Sequence, residues 1–381
     1  MSRRKGRRER REAAREQRKT DRALAVGGLE DVFTFHKTYT NGKACCKGVR
    51  WKNSTQRFEL HLFSGTARRR KEILEHRYKW KKYTHFTVSE RGKTRPIDAP
   101  HIHDRQIQKV IAQEVLIPLY LPDMIWNNGA SMKGKGLAFS RAELVADLCH
   151  HFALYGLAGS VIVTDCTGFF PNADHDRIRA RHYHLLRVQD VRELADSVLT
   201  TIPSGVGVPL GVEPSQMEMV AYPSPLDNYM KCQLRLDGAG HYMDDYIMLI
   251  PPGLDPYEVF EKFKAKAAEN DLTISERKTQ IVPFGRPFRF CKAKYTVTET
   301  GRVVVHGHRD SAKRGRHKFK AFKPKVEAGE MSYPDLWASV QGVFNYYEEF
   351  DDHGRVLSLR QYFYNLYGFS GERYENFENR Q

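Results

Sequence analysis

The 381-residue sequence contains no run of about 18 apolar residues, the minimum for a membrane-spanning helix. It starts MSRRKGRRERR and lacks the apolar segment of a secretory signal peptide. After the first 30 residues it shows no internal repeat and no long low-complexity linker. These absences predict a cytoplasmic protein that has no membrane partner.

Cysteines are few and poorly spaced for cross-links. The six cysteines form no CxxC pair, and a bridge between the adjacent Cys45 and Cys46 would be strained. A disulfide framework or a structural zinc site is therefore not expected, and a reducing compartment fits the pattern.

Two glycine-containing segments fall short of phosphate-binding loops. Residues 129–135 match GxxxxGK, but Gly136 follows where a P-loop needs Ser or Thr to hold Mg²⁺. Residues 205–211 miss GxGxxG by one position, and Pro209 would disturb the start of a following helix. We therefore reject both classes of nucleotide-binding loop at these positions.

Positive charge is the main excess in the composition. Sixty-two Lys and Arg against 46 Asp and Glu give a net charge of +16, which indicates an anionic partner, most often nucleic acid. Residues 1–22 hold +7 of this charge and few apolar side chains. We expect residues 1–30 to be a disordered or helical basic tail that binds nucleic acid, with a purely solubilising tail as the alternative.

Two further basic clusters are candidates for nucleic-acid binding. In residues 68–83 cations alternate with rings, so cations can meet phosphates while rings stack on bases or pack against the protein. Residues 309–325 have helical spacing, for which a merely solvated face is the alternative. The cations predicted to bind nucleic acid are Arg68, Arg69, Arg70, Lys79, Lys81, Lys82, Lys313, Arg314, Arg316 and Lys318.

Hydrophobic periodicity predicts an irregular order of helices and short strands. Helical spacing covers residues 31–83 with short breaks, 105–120, 141–156, 255–270 and the chain from 333 onward. Strand patterns cover residues 160–164, 246–250, 279–284 and 293–305, with a hairpin at 84–98. This order is typical of an α+β fold with an antiparallel sheet, not of a doubly wound sheet.

Three aspartates carry the strongest chemical signal. Asp165 ends the first apolar β run, and Asp244 and Asp245 precede the second one. Adjacent acids at a strand turn are costly unless a cation neutralises them. If the two strands lie side by side, Asp165 and Asp244 point to a common spot that suits two Mg²⁺ about 3.5–4 Å apart. Such a pair of ions activates a 3′-hydroxyl and stabilises a pyrophosphate leaving group.

Three segments around these acids resemble the palm motifs of reverse transcriptases. Residues 241–246 (HYMDDY) resemble the YxDD box, and residues 165–171 (DCTGFFP) resemble the first palm motif, D-x-x-x-[FY]-F. Residues 207–216 (GVPLGVEPSQ) resemble the motif between them. The three motifs occur in the order and spacing of that family.

Flanking segments extend the resemblance to about residues 31–340. Upstream, residues 92–97 resemble the fingers hairpin, and residues 104–108 the helix after it. Downstream, residues 272–279 and 288–292 resemble the motifs that follow the YxDD box.

The resemblance implies an RNA-directed DNA polymerase with a right-hand polymerase fold. Its parts would be helical fingers with a hairpin at residues 31–155, an antiparallel-sheet palm at 156–305 and a short helical thumb at 306–381. It implies an RNA template, a DNA primer or cDNA, deoxynucleoside triphosphates and two Mg²⁺ or Mn²⁺ ions. A structured noncoding RNA is a further expected partner, as are a small accessory protein or a second copy of the chain. A bacterial or phage origin is implied.

The resemblance also implies roles for the acids and a nearby lysine. Asp165, Asp244 and Asp245 would bind the metal ions, together with the carbonyl oxygen of Cys166. Lys278 would protonate the pyrophosphate, with an ordinary surface lysine as the alternative.

Other residues would contact the nucleotide or the primer. Phe170 would be a steric gate that leaves no room for a 2′-hydroxyl, and Lys93 and Arg95 would hold the triphosphate. Further residues implied to bind the nucleotide are Phe169, Leu210, Gly211 and Gln216. Those implied to contact nucleic acid near the YxDD box and the primer grip are Tyr242, Met243, Phe290 and Lys292.

Within the family, length and the middle motif favour one subgroup. The short C-terminal part leaves no room for an RNase H or endonuclease domain, which disfavours retroviral and full-length intron-encoded types. Leu210 and Gln216 stand where those types and retrons usually have Gln and Pro, a pattern that resembles diversity-generating retroelements. Glu213-Pro214 and Phe290-Cys291-Lys292 depart from the usual pattern. A phage-defence or orphan reverse transcriptase working on a dedicated noncoding RNA is the alternative.

Two other function classes stay open. An RNA-binding protein on an inactive polymerase scaffold is disfavoured, because acids facing phosphates without metal repel nucleic acid. An RNA-dependent RNA polymerase would share the acid triad, but Phe170 at the gate disfavours ribonucleotides.

Overall fold

A computed structural model describes residues 2–90, 93–202 and 204–368, without the side chains of residues 2–8, 90 and 93. The helices are α1 (Ser2–Ala25), α2 (Leu29–Val32), α3 (Phe35–Cys45), α4 (Asn53–Leu60), α5 (Leu62–Leu74), α6 (Ile102–Val110), α7 (Ile117–Tyr120), α8 (Leu137–Tyr155), α9 (His175–Leu185), α10 (Gln189–Leu199), α11 (Glu213–Ala221), α12 (Ser224–Asn228), α13 (Pro256–Ala268), α14 (Arg309–Glu327), α15 (Tyr333–Glu348) and α16 (His353–Tyr367). The strands are β1 (Thr84–Glu90), β2 (Lys93–Ala99), β3 (Ser160–Thr167), β4 (Ala239–Tyr242), β5 (Asp245–Ile250), β6 (Thr273–Ile274), β7 (Gln280–Pro283), β8 (Phe288–Phe290), β9 (Ala293–Val297) and β10 (Val303–Gly307).

The described chain is α+β with antiparallel sheets, which confirms the predicted fold class. Its central sheet has the strand order β4-β5-β3-β6, and β7 pairs with β3 as well. β8, β9 and β10 form a second sheet, and β1 and β2 form a separate hairpin. Among the described helices, none is long and apolar enough to cross a membrane.

Both faces of the central sheet are buried. Ile162, Tyr246 and Met248 pack on one side against α9, α11 and α13. Val161 and Ile247 pack on the other side against α8 and the β8-β9-β10 sheet. Because both faces are covered, β3 and β5 are apolar at nearly every position up to the aspartates at their common end.

The N-terminal helices share a core that includes α11. Val32, Ile107 and Val220 lie in one cluster of buried side chains. The three C-terminal helices pack around their own cluster, with Phe319, Trp337, Phe344 and Phe363 at its centre.

Two sequence predictions need correction or completion. We expected mostly helix over residues 31–83, but α5 ends at Leu74, and His76 has a positive φ of 52°. The irregular segment that follows is held by Asp104, which accepts hydrogen bonds from the Tyr78 hydroxyl at 2.6 Å and the Lys81 amide at 2.8 Å. The basic tail takes the helical alternative, since α1 covers Ser2–Ala25 and buries Ala23 in the N-terminal core.

A buried ion triad joins α9, α10 and α11. The His182 ring is 1% exposed, with Nδ1 2.5 Å from Asp196 Oδ1 and Nε2 2.7 Å from Glu218 Oε1. The Tyr120 hydroxyl donates to the other Glu218 oxygen at 2.7 Å. Burial by itself lowers the pKa of His182, but Glu218 and Asp196 outweigh it and raise the pKa to about 9. The charged ring therefore cross-links three helices near neutral pH.

This triad predicts a stability that declines at alkaline pH. An unfolded histidine has a pKa near 6.5, so the contribution of His182 is complete below about pH 6.5 and is lost as the pH rises through about 9. We expect the free energy of unfolding to fall by on the order of 3 kcal/mol over that range. Urea titrations at several pH values should show a flatter profile for His182→Gln. The exposed His184→Gln variant is the control, and equal slopes in the two variants would contradict the assignment.

Candidate active site

The turn between β4 and β5 consists of Met243 and Asp244. Met243 has a φ of 56°, which residues other than glycine rarely adopt. A positive φ at the first of two turn positions suits the type II′ turn, whose twist matches antiparallel strands. The Cys166 amide donates to the Asp244 carbonyl at 2.8 Å, so the turn is tied to β3.

The three predicted aspartates meet at this end of the sheet. Asp165 and Asp245 are direct partners across β3 and β5, so their side chains share one face. Asp165 is 9% exposed, and the other two are half-buried. Burial, followed by the negative charge of Asp165, raises the pKa of Asp244. The local environment therefore disfavours so many ionised acids unless positive charge compensates them.

Two predicted cations act on the same acids. The Lys278 ammonium donates to Asp165 Oδ1 in a short contact, and it also opposes the rise in the pKa of Asp244. Arg95, which is exposed on β2, opposes that rise as well. The hairpin at 84–98 thus brings Arg95 close enough to Asp244 to lower the pKa of that acid. Gly92, at the predicted hairpin turn, and the Lys93 side chain lie outside the described residues.

The donor set suits a divalent cation in chemistry. Carboxylate oxygens are the ligands that Mg²⁺ prefers, and the crowded acids need a positive counter-charge. Within the described part of the chain, however, no three His, Cys, Asp or Glu side chains are grouped closely enough to enclose a metal ion. Lys278 already occupies one oxygen of Asp165, so a bound ion would have to share or displace that ammonium.

Cys166 can offer a ligand only through its backbone. Its side chain is 2% exposed and packs on the helix-covered face of the sheet. Burial, and then the charges of Asp244 and Asp165, raise the pKa of this thiol. The thiol therefore stays protonated, which fits the prediction that only its carbonyl oxygen takes part.

A buried ion pair that sequence analysis missed supports the turn. His241 Nε2 lies 3.1 Å from Asp227 Oδ2, and both side chains are fully enclosed. Burial lowers the pKa of His241, but the charge of Asp227 outweighs burial, so the net shift of the pKa is upward. The Nδ1 of His241 donates to the Met243 carbonyl at 3.0 Å. Asp227 lies on α12, a short helix for which periodicity gave no bounds, so nothing in the sequence linked it to the turn.

A second tight turn lies beside the acids. Cys291 and Lys292, between β8 and β9, have φ values of 47° and 63°, as in a type I′ turn. Both carbonyls are held, one by Arg141 Nε at 3.3 Å and the other by the Tyr346 hydroxyl at 2.7 Å. Burial and the charge of Asp245 raise the pKa of Cys291 to about 12, which shows how near the turn lies.

Of the residues predicted to contact the primer, Phe290 does not face solvent. It is 5% exposed and lies in the core between the two sheets. Tyr242 and Met243 are partly buried against the neighbouring cores, and Lys292 is exposed. Lys292 is therefore the member of this group that is open to an external ligand.

The residues predicted to bind the nucleotide also divide into buried residues and residues that a ligand can reach. Phe169 is 5% exposed and packs edge-on against the half-buried Phe170 at 5.8 Å, so it supports that ring instead of contacting a ligand. The Asp98 amide of β2 donates to the Leu210 carbonyl at 3.1 Å, which joins the hairpin to the middle motif. Gly211 and Gln216 line a cavity of about 240 Å³ beside this junction, together with Arg105 and Gln113.

The unusual Glu213 of the middle motif has a structural role. Its carboxylate accepts hydrogen bonds from Lys109 Nζ at 2.8 Å and from Gln113 Nε2 at 2.7 Å. These contacts tie the start of α11 to the helical segment that begins with α6.

The first basic cluster is partly internal. Arg69 is 3% exposed and donates to Gln106 Oε1 at 2.6 Å, and Arg70 donates to the Phe33 carbonyl at 2.7 Å. Arg69 is therefore not an exposed cation as predicted: its guanidinium is largely buried and held by Gln106, and it contributes only to the wall of a cavity that Arg57, Arg68 and Lys81 also line. Of adjacent residues on a packed helix, some must face inward. Arg68, Lys79, Lys81 and Lys82 are exposed, while Tyr78, Trp80 and Tyr83 pack against the N-terminal core.

The second basic cluster lies on α14. Lys313, Arg314 and Lys318 are exposed. Arg316 is half-buried: it donates to Ser358 Oγ at 2.8 Å, and its guanidinium lies 5.7 Å from the Tyr362 ring. This helix therefore presents most of its predicted cations to solvent.

No family model matches the chain. A comparison with curated proteins finds no match either.

The His241–Asp227 pair predicts a specific weakening of the turn. Asp227→Asn removes the charge that holds the buried imidazolium, and we expect it to lower the free energy of unfolding by about 2 kcal/mol or more. Hydrogen exchange at the Cys166 amide, which binds the Asp244 carbonyl, should accelerate. The exposed Asp237→Asn is the control, and unchanged exchange in Asp227→Asn would refute the supporting role.

Proposed function

We propose that this protein is an RNA-directed DNA polymerase with a right-hand polymerase fold. The observation that supports this best is the meeting of Asp165, Asp244 and Asp245 at one end of two adjacent antiparallel strands. All three belong to segments that resemble reverse-transcriptase palm motifs. Two separate cations, Lys278 and Arg95, both lower the pKa of Asp244, and Lys278 also binds Asp165. Cations at this place could also bind the phosphates of a nucleoside triphosphate.

The three parts of the hand would follow the chain order. Residues 31–155, with the β1–β2 hairpin, would be the fingers, residues 156–305 with the central sheet the palm, and residues 306–381 the thumb. Residues 369–381 lie outside the described residues. α14, α15 and α16 support the last assignment, because they pack around one core of their own.

Mg²⁺ would be held by Asp165, Asp244, Asp245 and the Cys166 carbonyl, where it activates a 3′-hydroxyl and offsets charge on the triphosphate. Arg95 would bind the triphosphate and orient it over the sheet end. Lys278 would hold its proton next to Asp165 and pass it to the departing pyrophosphate oxygen. Phe170 would press against the sugar and exclude a 2′-hydroxyl.

Exposed cations in the proposed fingers and thumb would hold the template and primer. In the proposed fingers, a cavity of about 610 Å³ is lined by Arg57, Arg68 and Lys81, with three histidines beside them. In the proposed thumb, Lys313, Arg314 and Lys318 are exposed on α14. Such cations neutralise phosphates without reading sequence.

For the biological role we propose mutagenic cDNA synthesis in a diversity-generating retroelement. The apolar Leu210 supports this, since an apolar residue beside the nascent base pair cannot hydrogen-bond the nucleotide and discrimination loosens. The second candidate is a phage-defence or orphan enzyme copying a dedicated noncoding RNA. Frequent misincorporation opposite template adenine favours the first role, and accurate or repetitive synthesis favours the second.

Removing the acids should abolish synthesis without unfolding the chain. We expect each single aspartate-to-asparagine change to reduce primer extension on an RNA template by about a thousandfold or more, because a carboxylate that binds metal is lost. The three variants are Asp165→Asn, Asp244→Asn and Asp245→Asn. The melting temperature should stay the same or rise, since repulsion among the acids is relieved. Asp237→Asn serves as the control for a lost surface charge. If the three variants extend the primer as fast as the wild-type protein at any Mg²⁺ concentration, this site is ruled out.

The gate predicts a change in sugar selectivity. Phe170→Ala should lower the preference for deoxynucleotides over ribonucleotides by about tenfold or more, because the ring no longer occupies the space of a 2′-hydroxyl. The ratio of kcat/KM values for the two substrates measures it. Phe169→Leu should cost stability but leave the ratio unchanged. If the Phe170→Ala enzyme keeps the parental ratio, Phe170 is not the gate, and an RNA-dependent RNA polymerase becomes an open alternative again.

A further inference from the structure

A second basic cavity lies between α1 and α9, and none of the three aspartates lines it. It has a volume of about 660 Å³, within the range of about 300–1,000 Å³ that is usual for ligand sites. α11 and α12 contribute to its walls. Its basic lining consists of Arg15, Arg18, Lys19 and Arg22 from α1 and of Arg177, Arg181 and His184 from α9.

The two helices turn like-charged faces toward each other. Arg15, Arg18 and Arg22 are spaced by three and four residues, so they lie along one face of α1. Arg177 and Arg181 are four residues apart on α9 and line the same cavity. Two cationic faces across a common space repel each other unless an anion lies between them.

Acids at the cavity neutralise only part of this charge: Lys19 pairs with Glu16 at 3.2 Å. Asp123 and Glu218 line the cavity, but both oxygens of Glu218 already bind His182 and Tyr120. Asp123 lies 3.7 Å from Arg22 and offsets one cation. The charge on the arginines that pair with no acid therefore needs another source of compensation.

The individual arginines show how much charge is left over. Arg177 pairs with Asp271 at 2.7 Å, so its charge is met. Arg181 donates only to neutral acceptors, the Ala221 carbonyl and Ser224 Oγ, and its guanidinium lies 4.7 Å from the Tyr120 ring. In the described part of the chain, Arg15 and Arg18 form no ion pair. Arg22 Nε is buried without a hydrogen-bond partner.

We propose that this cavity binds the phosphate backbone of a nucleic-acid strand, at a site separate from the template-primer site. The basic character continues along α1 beyond the cavity, since residues 3–11 hold seven more Lys and Arg. A helix of 24 residues is about 36 Å long, which suits an extended polyanion better than a small anion. The one base-sized ring in the lining, Tyr222, is 4% exposed and lies under Arg177. Without an accessible ring for stacking on bases, we expect binding that is independent of base sequence. The proposal does not rest on the assignment of the protein as a polymerase.

The experiment compares matched charge removals in the full-length protein. Arg15→Gln/Arg18→Gln removes two exposed cavity cations, and Lys43→Gln/Lys47→Gln removes two exposed cations elsewhere. The probe is a fluorescein-labelled 20-nucleotide single-stranded RNA of mixed sequence, with DNA of the same sequence as a second arm. Affinity is measured between 50 and 300 mM salt for each protein.

The cavity variant should bind about tenfold more weakly, and the slope of log K against log salt should decrease by about 1.4, the value for two lost contacts to a single strand. Equal loss with RNA and DNA shows that the backbone is recognised, whereas loss with neither overturns the proposal. The Lys43→Gln/Lys47→Gln control should retain both the affinity and the slope.

Arg181→Gln tests the α9 side of the cavity. It should decrease the salt slope by about 0.7. If a folded Arg181→Gln protein keeps the parental slope, α1 binds as a free arm and the cavity is not the site. Should Arg181→Gln not fold, Arg181→Lys keeps the charge and should retain the slope while losing affinity. A last arm measures thermal stabilisation by inorganic tripolyphosphate. If Arg15→Gln/Arg18→Gln abolishes this stabilisation but leaves RNA binding unchanged, the cavity is a site for small anions and the proposal is overturned.

Discussion

The crowding of Asp165, Asp244 and Asp245 at one end of the central sheet is the constraint on which the rest of the structure depends. Repulsion among these acids opposes the pairing of β3 with β5 at this end of the sheet. Apolar cores cover both faces, and the Cys166 amide ties the turn to β3, so the strands stay paired. Lys278 and Arg95 supply the positive charge that makes the arrangement tolerable.

Three of the seven non-glycine residues with positive φ in the described chain lie at the same end of the molecule. They are Met243, Cys291 and Lys292, and a side chain holds the carbonyl of each one. The holders are His241, Arg141 and Tyr346. Residues in such conformations persist only when their surroundings over-determine them, and they are frequent at functional sites. This agrees with the proposed polymerase centre, which needs carboxylates in set positions.

The net charge of +16 is distributed over several separate surfaces. Cations of the proposed fingers line a cavity of their own, and others are exposed on α14. The basic N-terminal segment, which composition indicated as a free tail or a bound helix, packs as α1 against α7 and α9. Part of its charge thereby lies across a cavity from that of Arg181, while Arg15 and Arg18 stay exposed to solvent.

The sequence alone determined the α+β class, the strands around residues 160–164 and 246–250, and the order of the three acidic motifs, because these depend on neighbours along the chain. It placed Asp165 beside Asp244 through one assumption, the antiparallel pairing of two apolar runs. Only the tertiary structure decided that Arg69 and Phe169 point inward, that Asp227 supports the turn through His241, and that α1 faces α9. Burial and charge pairing depend on which helices and strands pack together, and the hydrophobic periodicity of a segment does not specify its packing partners.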